Sequence, residues 1–284
     1  MNRIGILANP QVAAVGPVVD RFVSLAKQSG VEVWLADDLN EICQGQFCRP
    51  ADLSERVELV IALGGDGTIL RAARLVGPAG TPILGVNMGR LGFLAGAAPE
   101  ELEGGLERLL RGEYEVEERM ALEAHVEEQT AFALNEVVIE KGVLAHLVQV
   151  KTWVLDAQIS SFFGNGLIVA TPTGSTGYSL SAGGPVIHPG VEAMIVTPIC
   201  AHSLSQRPLV IPCDQSITVE VMAEHTDIML SADGQTVTPL RPKTRVAVQR
   251  VPHPVRLVNL QGISFYNLLR RKLDWSIDRR EREE

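Results

Sequence analysis

Short apolar runs alternate with segments of helical spacing through the first hundred residues. The apolar runs predict strands, and they are Ile4–Ala8, Val31–Leu35, Leu59–Leu63 and Pro82–Val86. The segments that predict helices are Pro17–Gly30, Thr68–Val76 and Pro99–Arg111. A continuous apolar run such as Leu59–Leu63 is typical of a strand covered on both faces, as in a parallel sheet. The alternation therefore predicts an α/β domain built on a parallel sheet.

The pattern changes near Arg119, where apolar and polar residues begin to alternate with a period of two. Ser216–Val221 is a clear example, and the turns between such runs are rich in Gly, Pro, Asp and Ser. This pattern predicts a β-rich, sandwich-like domain. Ser264–Trp275 then returns to helical spacing. We predict an α/β domain over residues 1–118, a β-rich domain over 119–257 and a C-terminal helix within 258–284.

Composition and charge narrow the class of protein. The chain has 284 residues, 46% of them hydrophobic, which suffices for packed cores and lies near the length at which one core divides into two. Its 25 basic and 34 acidic residues give a net charge of −9, which disfavours nucleic acid as a partner. No run approaches the ~20 apolar residues of a membrane span, and the N-terminal apolar run is too short for a secretory signal. We expect a cytoplasmic protein with no membrane partner.

The first candidate site is Gly64-Gly65-Asp66-Gly67-Thr68. It follows a buried-strand pattern and opens a predicted helix, so it lies at the sheet edge where α/β folds bind ligands. Glycines let backbone N–H groups approach a phosphate, and a helix start adds partial positive charge. Asp66 is then either a group that accepts a proton or helps to hold a magnesium ion, or a residue that shapes the turn and caps the helix. The stretch matches neither the P-loop nor the Rossmann glycine pattern.

The second candidate is the hydroxyl-rich segment Thr171–Pro185. Its seven uncharged side-chain hydroxyls suit ribose and phosphate oxygens, and Tyr178 offers a ring for base stacking. Gly174–Gly177 does not match G-x-S-x-G, so no serine nucleophile is indicated. The alternative is a flexible surface loop, against which the apolar Leu167–Val169 before it argues.

The third candidate is Asn135-Glu136, which interrupts an apolar run from Phe132 to Ile139 that predicts a buried strand. Adjacent buried polar residues cost several kcal/mol unless they are hydrogen-bonded. A ligand diol or amide could provide those bonds, and so could a backbone bulge. The dipeptide alone leaves both alternatives open.

Together these segments resemble the NAD kinase family over nearly the whole chain. The GGDGT sequence at Gly64–Thr68 is shared with lipid kinases and 6-phosphofructokinases, whereas TPTGSTGYSLSAGGP at Thr171–Pro185 makes the resemblance specific. The other matching stretches are Asn87–Leu94, Asn135-Glu136, His202–Pro208 and Tyr266–Trp275.

The resemblance implies a two-domain kinase of the NAD kinase and diacylglycerol kinase type, with its site in the cleft between the domains and a C-terminal helix that returns to the first domain. It implies transfer of the ATP γ-phosphoryl group to the 2′-hydroxyl of the adenosine ribose of NAD, with a divalent cation such as Mg²⁺. It also implies a homodimer or homotetramer. Asp66 matches the family's proton acceptor. The positions that match NAD-binding residues are Gly67, Arg71, Phe93, Asn135, Glu136, His146, Asn165, Thr176, Gly177, Tyr178, Ser179, Leu180, Ser181 and Gln235, and those of the phosphate loop are Gly64, Gly65 and Thr68.

Two residues depart from the family pattern. Asn165 stands where an aspartate is usual, a change that could alter recognition of the nicotinamide half. Gly177 stands where an alanine is common, and we expect it mainly to loosen the loop. His146 lies in an apolar Val143–Val150 strand pattern, where a lone histidine is more often a core residue, but the family match favours a substrate contact.

Two other functions stay open on the sequence alone. A lipid or sugar kinase would also carry the Gly64–Thr68 stretch, although a lipid kinase should present a basic or apolar membrane-facing surface and this chain is acidic. A catalytically silent NAD(P)-binding sensor would keep the pocket, although the intact Asp66 argues against it. The sequence does not decide between ATP and polyphosphate as donor or between NAD and NADH as acceptor.

Overall fold

The computed structural model describes residues 1–89, 92–142, 146–223 and 227–273, and the chain divides into two compact units. The first unit combines residues 1–118 with the C-terminal segment that begins at Val255, and the second comprises Arg119–Pro254. The boundary expected after residue 257 differs from this division by three residues, because the strand that begins at Val255 pairs within the first unit's sheet.

The described strands and helices are numbered separately in chain order. The strands are β1 Arg3–Ala8, β2 Glu32–Ala36, β3 Gln46–Cys48, β4 Leu59–Gly64, β5 Ile83–Asn87, β6 Glu115–Arg119, β7 Leu122–Val126, β8 Gln129–Ala133, β9 Glu136–Lys141, β10 Val148–Val154, β11 Ala157–Gly164, β12 Gly166–Ala170, β13 Ala193–Ile199, β14 Leu209–Pro212, β15 Ile217–Met222, β16 Ile228–Ala232, β17 Thr236–Leu240, β18 Arg245–Arg250 and β19 Val255–Asn259. The helices are α1 Val15–Gln28, α2 Leu53–Arg56, α3 Asp66–Val76, α4 Leu102–Arg111, α5 Tyr178–Ser181 and α6 Phe265–Leu273.

The first unit is built on a seven-stranded sheet with the strand order β3-β2-β1-β4-β5-β19-β6. The neighbouring pairs from β3 through β19 are parallel. Every residue of β4 is buried, which confirms the interpretation of Leu59–Leu63 as a strand covered on both faces. In α4, Leu102, Leu106 and Leu109 are buried at helical spacing and join the core of this unit. The predicted α/β class is confirmed, and these elements place the Gly64–Thr68 stretch at the carboxyl end of a central strand.

The second unit contains two six-stranded sheets. Their strand orders are β11-β10-β15-β18-β7-β8 and β14-β13-β12-β9-β16-β17. One continuous core draws Leu122 and Val150 from the first sheet and Val169 and Leu230 from the second, so the sheets pack face to face. The alternation in Ile217–Met222 matches alternating buried and half-buried residues in β15. The β-rich, sandwich-like prediction is therefore confirmed.

One local prediction was wrong. Phe132–Ile139 is not one buried strand, because β8 ends at Ala133 and β9 begins at Glu136 in the other sheet. The intervening residues carry the chain from one sheet to the other. His146 is exposed and precedes β10, which argues against the alternative of a core histidine and leaves the predicted substrate contact as a prediction. Residues 143–145 of the Val143–Val150 strand pattern and residues 274–284 lie outside the described part of the chain.

No helix among the described residues is long and apolar enough to cross a membrane.

Candidate active site

Asp66 is the first residue of α3 and follows β4 by one residue. We call Gly64–Thr68 the Asp66 loop. Gly64 packs so closely on the Thr68 side chain that any Cβ there would collide with it. A Cβ on Gly65 or Gly67 would meet no atom within 4 Å, so the backbone beside Asp66 is open. The loop thus combines a tight strand-to-helix turn with an accessible main chain at a helix start.

The carboxylate of Asp66 is held by the loop that follows β5. Its Oδ2 accepts a hydrogen bond from the main-chain N–H of Phe93 at 2.9 Å, and its Oδ1 accepts one from Leu94 at 3.3 Å. Gly92 lies against the same carboxylate, and a Cβ at residue 92 would overlap it. No side chain caps the start of α3, so the alternative of Asp66 as a helix cap is not observed.

Two further predicted site residues of the first unit make contacts within it. The Phe93 ring has the Lys272 ammonium of α6 at 5.1 Å from its centroid. Arg71, one and a half turns along α3 from Asp66, forms a 2.6 Å ion pair with Asp38. In this structure the Arg71 guanidinium therefore points to a protein carboxylate.

In the second unit, Leu134–Glu136 forms the passage between the two sheets, and we call it the Asn135 turn. The end of β12 holds one side of it: the hydroxyl of Thr171 donates to the carbonyl of Leu134 at 2.6 Å, and the N–H of Thr171 donates to the carbonyl of Asn135 at 2.8 Å. Gly174 packs on the backbone of Asn135 so closely that no side chain fits there.

Asp233 holds the other side of the Asn135 turn. Its carboxylate accepts hydrogen bonds from the main-chain N–H groups of Leu134 at 2.9 Å, Asn135 at 2.8 Å and Glu136 at 3.1 Å. Sequence reasoning did not predict this contact of Asp233. The signal was its Asp-Gly pair, which is typical of a tight hairpin turn.

Glu136 is buried with an exposed fraction of 8%. Burial raises the pKa of Glu136 to about 7, and the negative charge of Asp233 adds to this rise, while the main-chain N–H of Tyr178 donates to the carboxylate and opposes it. The Oε2 atom of Glu136 and the Oδ1 atom of Asn135 are both buried and have no hydrogen-bond partner in the described structure. Two acceptor atoms without partners in one short turn are suited to a ligand that donates hydrogen bonds.

Gly177 lies beside this carboxylate. A Cβ at residue 177 would stand 2.8 Å from Glu136 Oε2 and 3.3 Å from the carbonyl oxygen of Gly174. The missing side chain therefore leaves room for Glu136, and this is a more specific consequence than the looser loop we expected.

The hydroxyl-rich segment folds as a 3₁₀ turn at Thr173–Thr176 followed by α5, and it is not a featureless surface loop. Several of its hydroxyls serve the protein itself. Ser179 is fully buried and bonds to Thr197 at 2.8 Å, Ser175 bonds in both directions to the main chain of Ile187, and Thr176 donates to the carbonyl of Thr173 at 3.3 Å. Tyr178 is 39% exposed, Leu180 is half-buried and Ser181 is exposed.

Three remaining predicted residues also belong to the second unit. His146 is exposed before β10, and Gln235 is exposed in the turn between β16 and β17. Asn165 is half-buried between β11 and β12, where its N–H donates to Ile199 and its carbonyl accepts from Lys141, each at 2.9 Å. Its backbone is therefore fixed independently of its side chain.

The first unit thus carries an acid in a glycine loop at a helix start, and the second carries buried polar acceptors, which are features suited to a ligand with phosphates and hydroxyls. Residues 4–114 match the family model described as the ATP-NAD kinase N-terminal domain, and residues 134–260 match the one described as the ATP-NAD kinase C-terminal domain. The NAD kinase of Moorella thermoacetica is 42% identical over 281 residues, which are 96% of this chain and 89% of that protein. The chain therefore belongs to the NAD kinase family.

Other relatives agree with this assignment. The NAD kinase of Gemmatimonas aurantiaca is 45% identical over 225 residues, 77% of this chain and 78% of that one. An NAD kinase from Archaeoglobus fulgidus, solved in complex with ATP, superposes with a TM-score of 0.77 at 26% identity and covers 96% of this chain and 97% of its own. Yeast NADH kinase complexed with NADH shares the fold with a TM-score of 0.90 at 24% identity, covering 98% and 89%.

Proposed function

We propose that this chain transfers the γ-phosphoryl group of ATP to the 2′-hydroxyl of the adenosine ribose of NAD, with Asp66 as the general base. The ribose oxygen attacks the γ-phosphorus, the bond to the β,γ-bridging oxygen breaks, and ADP leaves. The Asp66 carboxylate takes the hydroxyl proton. The observation that carries this proposal is the carboxylate at the start of α3, inside a glycine loop at the carboxyl end of β4.

The main chain of the Asp66 loop is suited to bind phosphate. The open space around Gly65 and Gly67 leaves the main chain approachable, Gly64 allows the tight turn against Thr68, and the N-terminus of the eleven-residue α3 provides partial positive charge. Thr68 lies in the first turn of the same helix. We propose these residues as the phosphate loop, and the A. fulgidus relative solved with ATP supports ATP as the donor.

We propose that the dinucleotide is bound by the Asn135 turn together with neighbouring segments. Asn135 Oδ1 and Glu136 Oε2 are buried acceptors for ribose hydroxyls. The proposed NAD-binding set is Gly67, Arg71, Phe93, Asn135, Glu136, His146, Asn165, Thr176, Gly177, Tyr178, Ser179, Leu180, Ser181 and Gln235. Within this set, Phe93 would contact the adenine and Asn165 the nicotinamide side.

A divalent cation belongs to the proposal as a companion of ATP. Among the described residues there is no group of three or more His, Cys, Asp or Glu side chains that could hold a metal ion. Mg²⁺ keeps several waters and is commonly bound by one or two carboxylates and substrate phosphates. Because the substrate phosphates provide ligands to the cation in such sites, we propose that the cation arrives with the nucleotide.

The resemblance to the family supports three further proposals. They are a cytoplasmic location, a homodimer or homotetramer, and a fold of the type shared with diacylglycerol kinases. Mass measurement of the purified chain in solution tests the number of copies.

Coupled detection of NADP tests the proposed reaction. The purified chain is incubated with NAD, ATP and Mg²⁺, and NADP is measured with an NADP-specific dehydrogenase. We expect NADP to form, and parallel reactions with polyphosphate and with NADH establish the preferred donor and acceptor. Binding of NAD without NADP formation would instead favour a silent sensor, and phosphorylation of a lipid alone would favour a lipid kinase.

A further inference from the structure

We propose that Asp233 is a positioning residue for the dinucleotide, which holds the Asn135 turn so that the side-chain oxygens of Asn135 and Glu136 stay available to substrate hydroxyls. This inference rests on the proposed role of Asn135 and Glu136 in binding NAD. Asp233 itself acts through the main chain of the turn.

The hydrogen bonds between Asp233 and the turn run in both directions. The Asp233 carboxylate accepts three consecutive main-chain N–H groups, from Leu134, Asn135 and Glu136, at 2.8 to 3.1 Å. In return, the N–H of Asp233 donates to the carbonyl oxygen of Glu136 at 3.0 Å. Hydrogen bonds to an ionised carboxylate are stronger than those between neutral groups, so this one side chain fixes the local backbone.

The need for such a residue follows from the change of sheet. The ladder of β8 ends at Ala133, whereas β9 begins at Glu136 in the other sheet. The N–H groups of Leu134 and Asn135 fall between the two ladders, and buried N–H groups need a partner. The Asp233 carboxylate is the partner of both N–H groups, so its negative charge lies where the strand pairing of β8 ends.

The backbone of Asp233 is shaped to make this possible. Asp233 and Gly234 both have left-handed conformations, with φ of 52° and 63°, in the turn between β16 and β17. Two successive positive φ values are typical of a type I′ hairpin, and aspartate tolerates this conformation better than most residues. Alanine tolerates it less well, so the Asp233→Asn variant is a better probe than Asp233→Ala.

The consequence falls on the two unpartnered oxygens. Asn135 Oδ1 and Glu136 Oε2 stay buried beside a backbone that is held from two sides, by Thr171 and by Asp233. Around Glu136, the negative charge of Asp233 faces it from the β16–β17 turn, and the N–H of Tyr178 faces it from α5. Asp233 thus holds the main chain of Glu136 and adds its negative charge to the effect of burial on that carboxyl group.

Steady-state kinetics of Asp233→Asn test the inference, with Asp156→Asn as the matched control. Asp156 is an exposed aspartate in the β10–β11 turn of the same unit. Asn at residue 233 keeps the shape but loses the charge and one acceptor, because its amide nitrogen would face a main-chain N–H. We expect the KM for NAD to rise about tenfold or more while kcat changes much less, since a charge-assisted hydrogen bond is lost and the chemical step is not. The control should match the wild type.

The pH dependence of NAD binding supplies a readout that a purely structural role would not move. Removing the Asp233 charge should lower the pKa of Glu136, so the binding midpoint near neutral pH should shift to lower pH in Asp233→Asn and disappear in Glu136→Gln. A lower melting temperature with unchanged KM and an unshifted midpoint would overturn the inference. Failure of the wild type to form NADP would instead overturn the proposed function, so the two failures are distinguishable.

Discussion

The Asp66 carboxylate and the main-chain N–H of Phe93 are joined by a 2.9 Å hydrogen bond, and Gly92 packs against the same carboxylate with no room for a Cβ. The orientation of the proposed base is therefore set by a loop more than twenty residues further along the chain. A reacting group that is displaced by about 1 Å can lose on the order of a hundredfold in rate. The proposed role of Asp66 can therefore be tested by substitution at Gly92 as well as at Asp66 itself.

Gly92→Ala should displace the Asp66 side chain. We expect kcat to fall on the order of a hundredfold, because the added methyl group and the carboxylate would occupy the same space. The matched control is Gly104→Ala in α4, where an added Cβ meets no atom within 4 Å. Coupled NADP assays and thermal melting of both variants check this. If Gly92→Ala kept wild-type kcat, the contact with Asp66 would have no functional role.

Asp66→Asn should remove basicity while it keeps the shape of the side chain. Loss of a general base is worth roughly 10²–10⁴ in rate, and we expect kcat to fall within that range with little change in the KM for NAD. Asp20→Asn, an exposed aspartate of α1, controls for the loss of one charge. More than about a tenth of wild-type kcat remaining in Asp66→Asn would exclude the general-base role.

Gly177→Ala should act through Glu136. The new Cβ would stand 2.8 Å from Glu136 Oε2, which is the end of a flexible side chain, so the carboxylate should move and the fold should persist. A displaced carboxylate is less deeply buried, so its pKa should fall and the pH midpoint for NAD binding should move to lower pH. Calorimetric titration of NAD at several pH values measures this, with Gly104→Ala as control. An unmoved midpoint would mean that Glu136 does not respond to residue 177.

Asn165→Asp should favour NAD over NADH by a few-fold in kcat/KM, because an aspartate near the positively charged pyridinium attracts only the oxidised form. The effect should shrink as salt is raised, since charges in water-accessible sites are screened. The main chain of Asn165 is pinned by Ile199 and Lys141, so the fold should tolerate the change. The ratio for NAD and NADH is measured for both proteins at low and high salt. An unchanged ratio would leave Asn165 as a turn residue.

Features that depend on neighbouring residues in the sequence could be predicted, whereas contacts between residues far apart in the sequence could not. β4 and the start of α3 are specified by local periodicity, so the position of Asp66 at the end of a buried strand was predictable. Asp233 was not, because its carboxylate binds N–H groups 97 to 99 residues away. The apolar residues on both sides of Asn135 hid the break between β8 and β9, since a buried strand and a crossing between two buried sheets have the same composition.

The hydroxyl-rich segment shows the same contrast between local sequence and distant contacts. The hydroxyls of Thr171–Ser181 were predicted as a group to face substrate, yet the hydroxyls of Ser179 and Ser175 form hydrogen bonds inside the fold. Hydroxyl count indicates capacity for hydrogen bonds but not their direction, because direction depends on which strands are neighbours. The consequence of Gly177 likewise depends on Glu136, a residue of β9 that is distant in the sequence.

Glu136 should make the stability of the second unit depend on pH. Its pKa is raised from 4.5 to about 7 by burial and by Asp233. A carboxyl group with a raised pKa binds its proton more tightly in the folded state, so its contribution is fully present below about pH 4.5 and is lost as the pH rises through about 7. The size of the shift corresponds to roughly 3 kcal/mol. We expect the free energy of unfolding of the wild type to fall by about this amount relative to Glu136→Gln across that interval, and the difference to level off above it.

Urea unfolding of both proteins over this pH range measures the difference, with Glu128→Gln, an exposed glutamate of the β7–β8 turn, as control. A difference that stays flat with pH would mean that folding does not raise the pKa of Glu136, because a carboxyl group with the same pKa in the folded and unfolded states adds no pH dependence to stability.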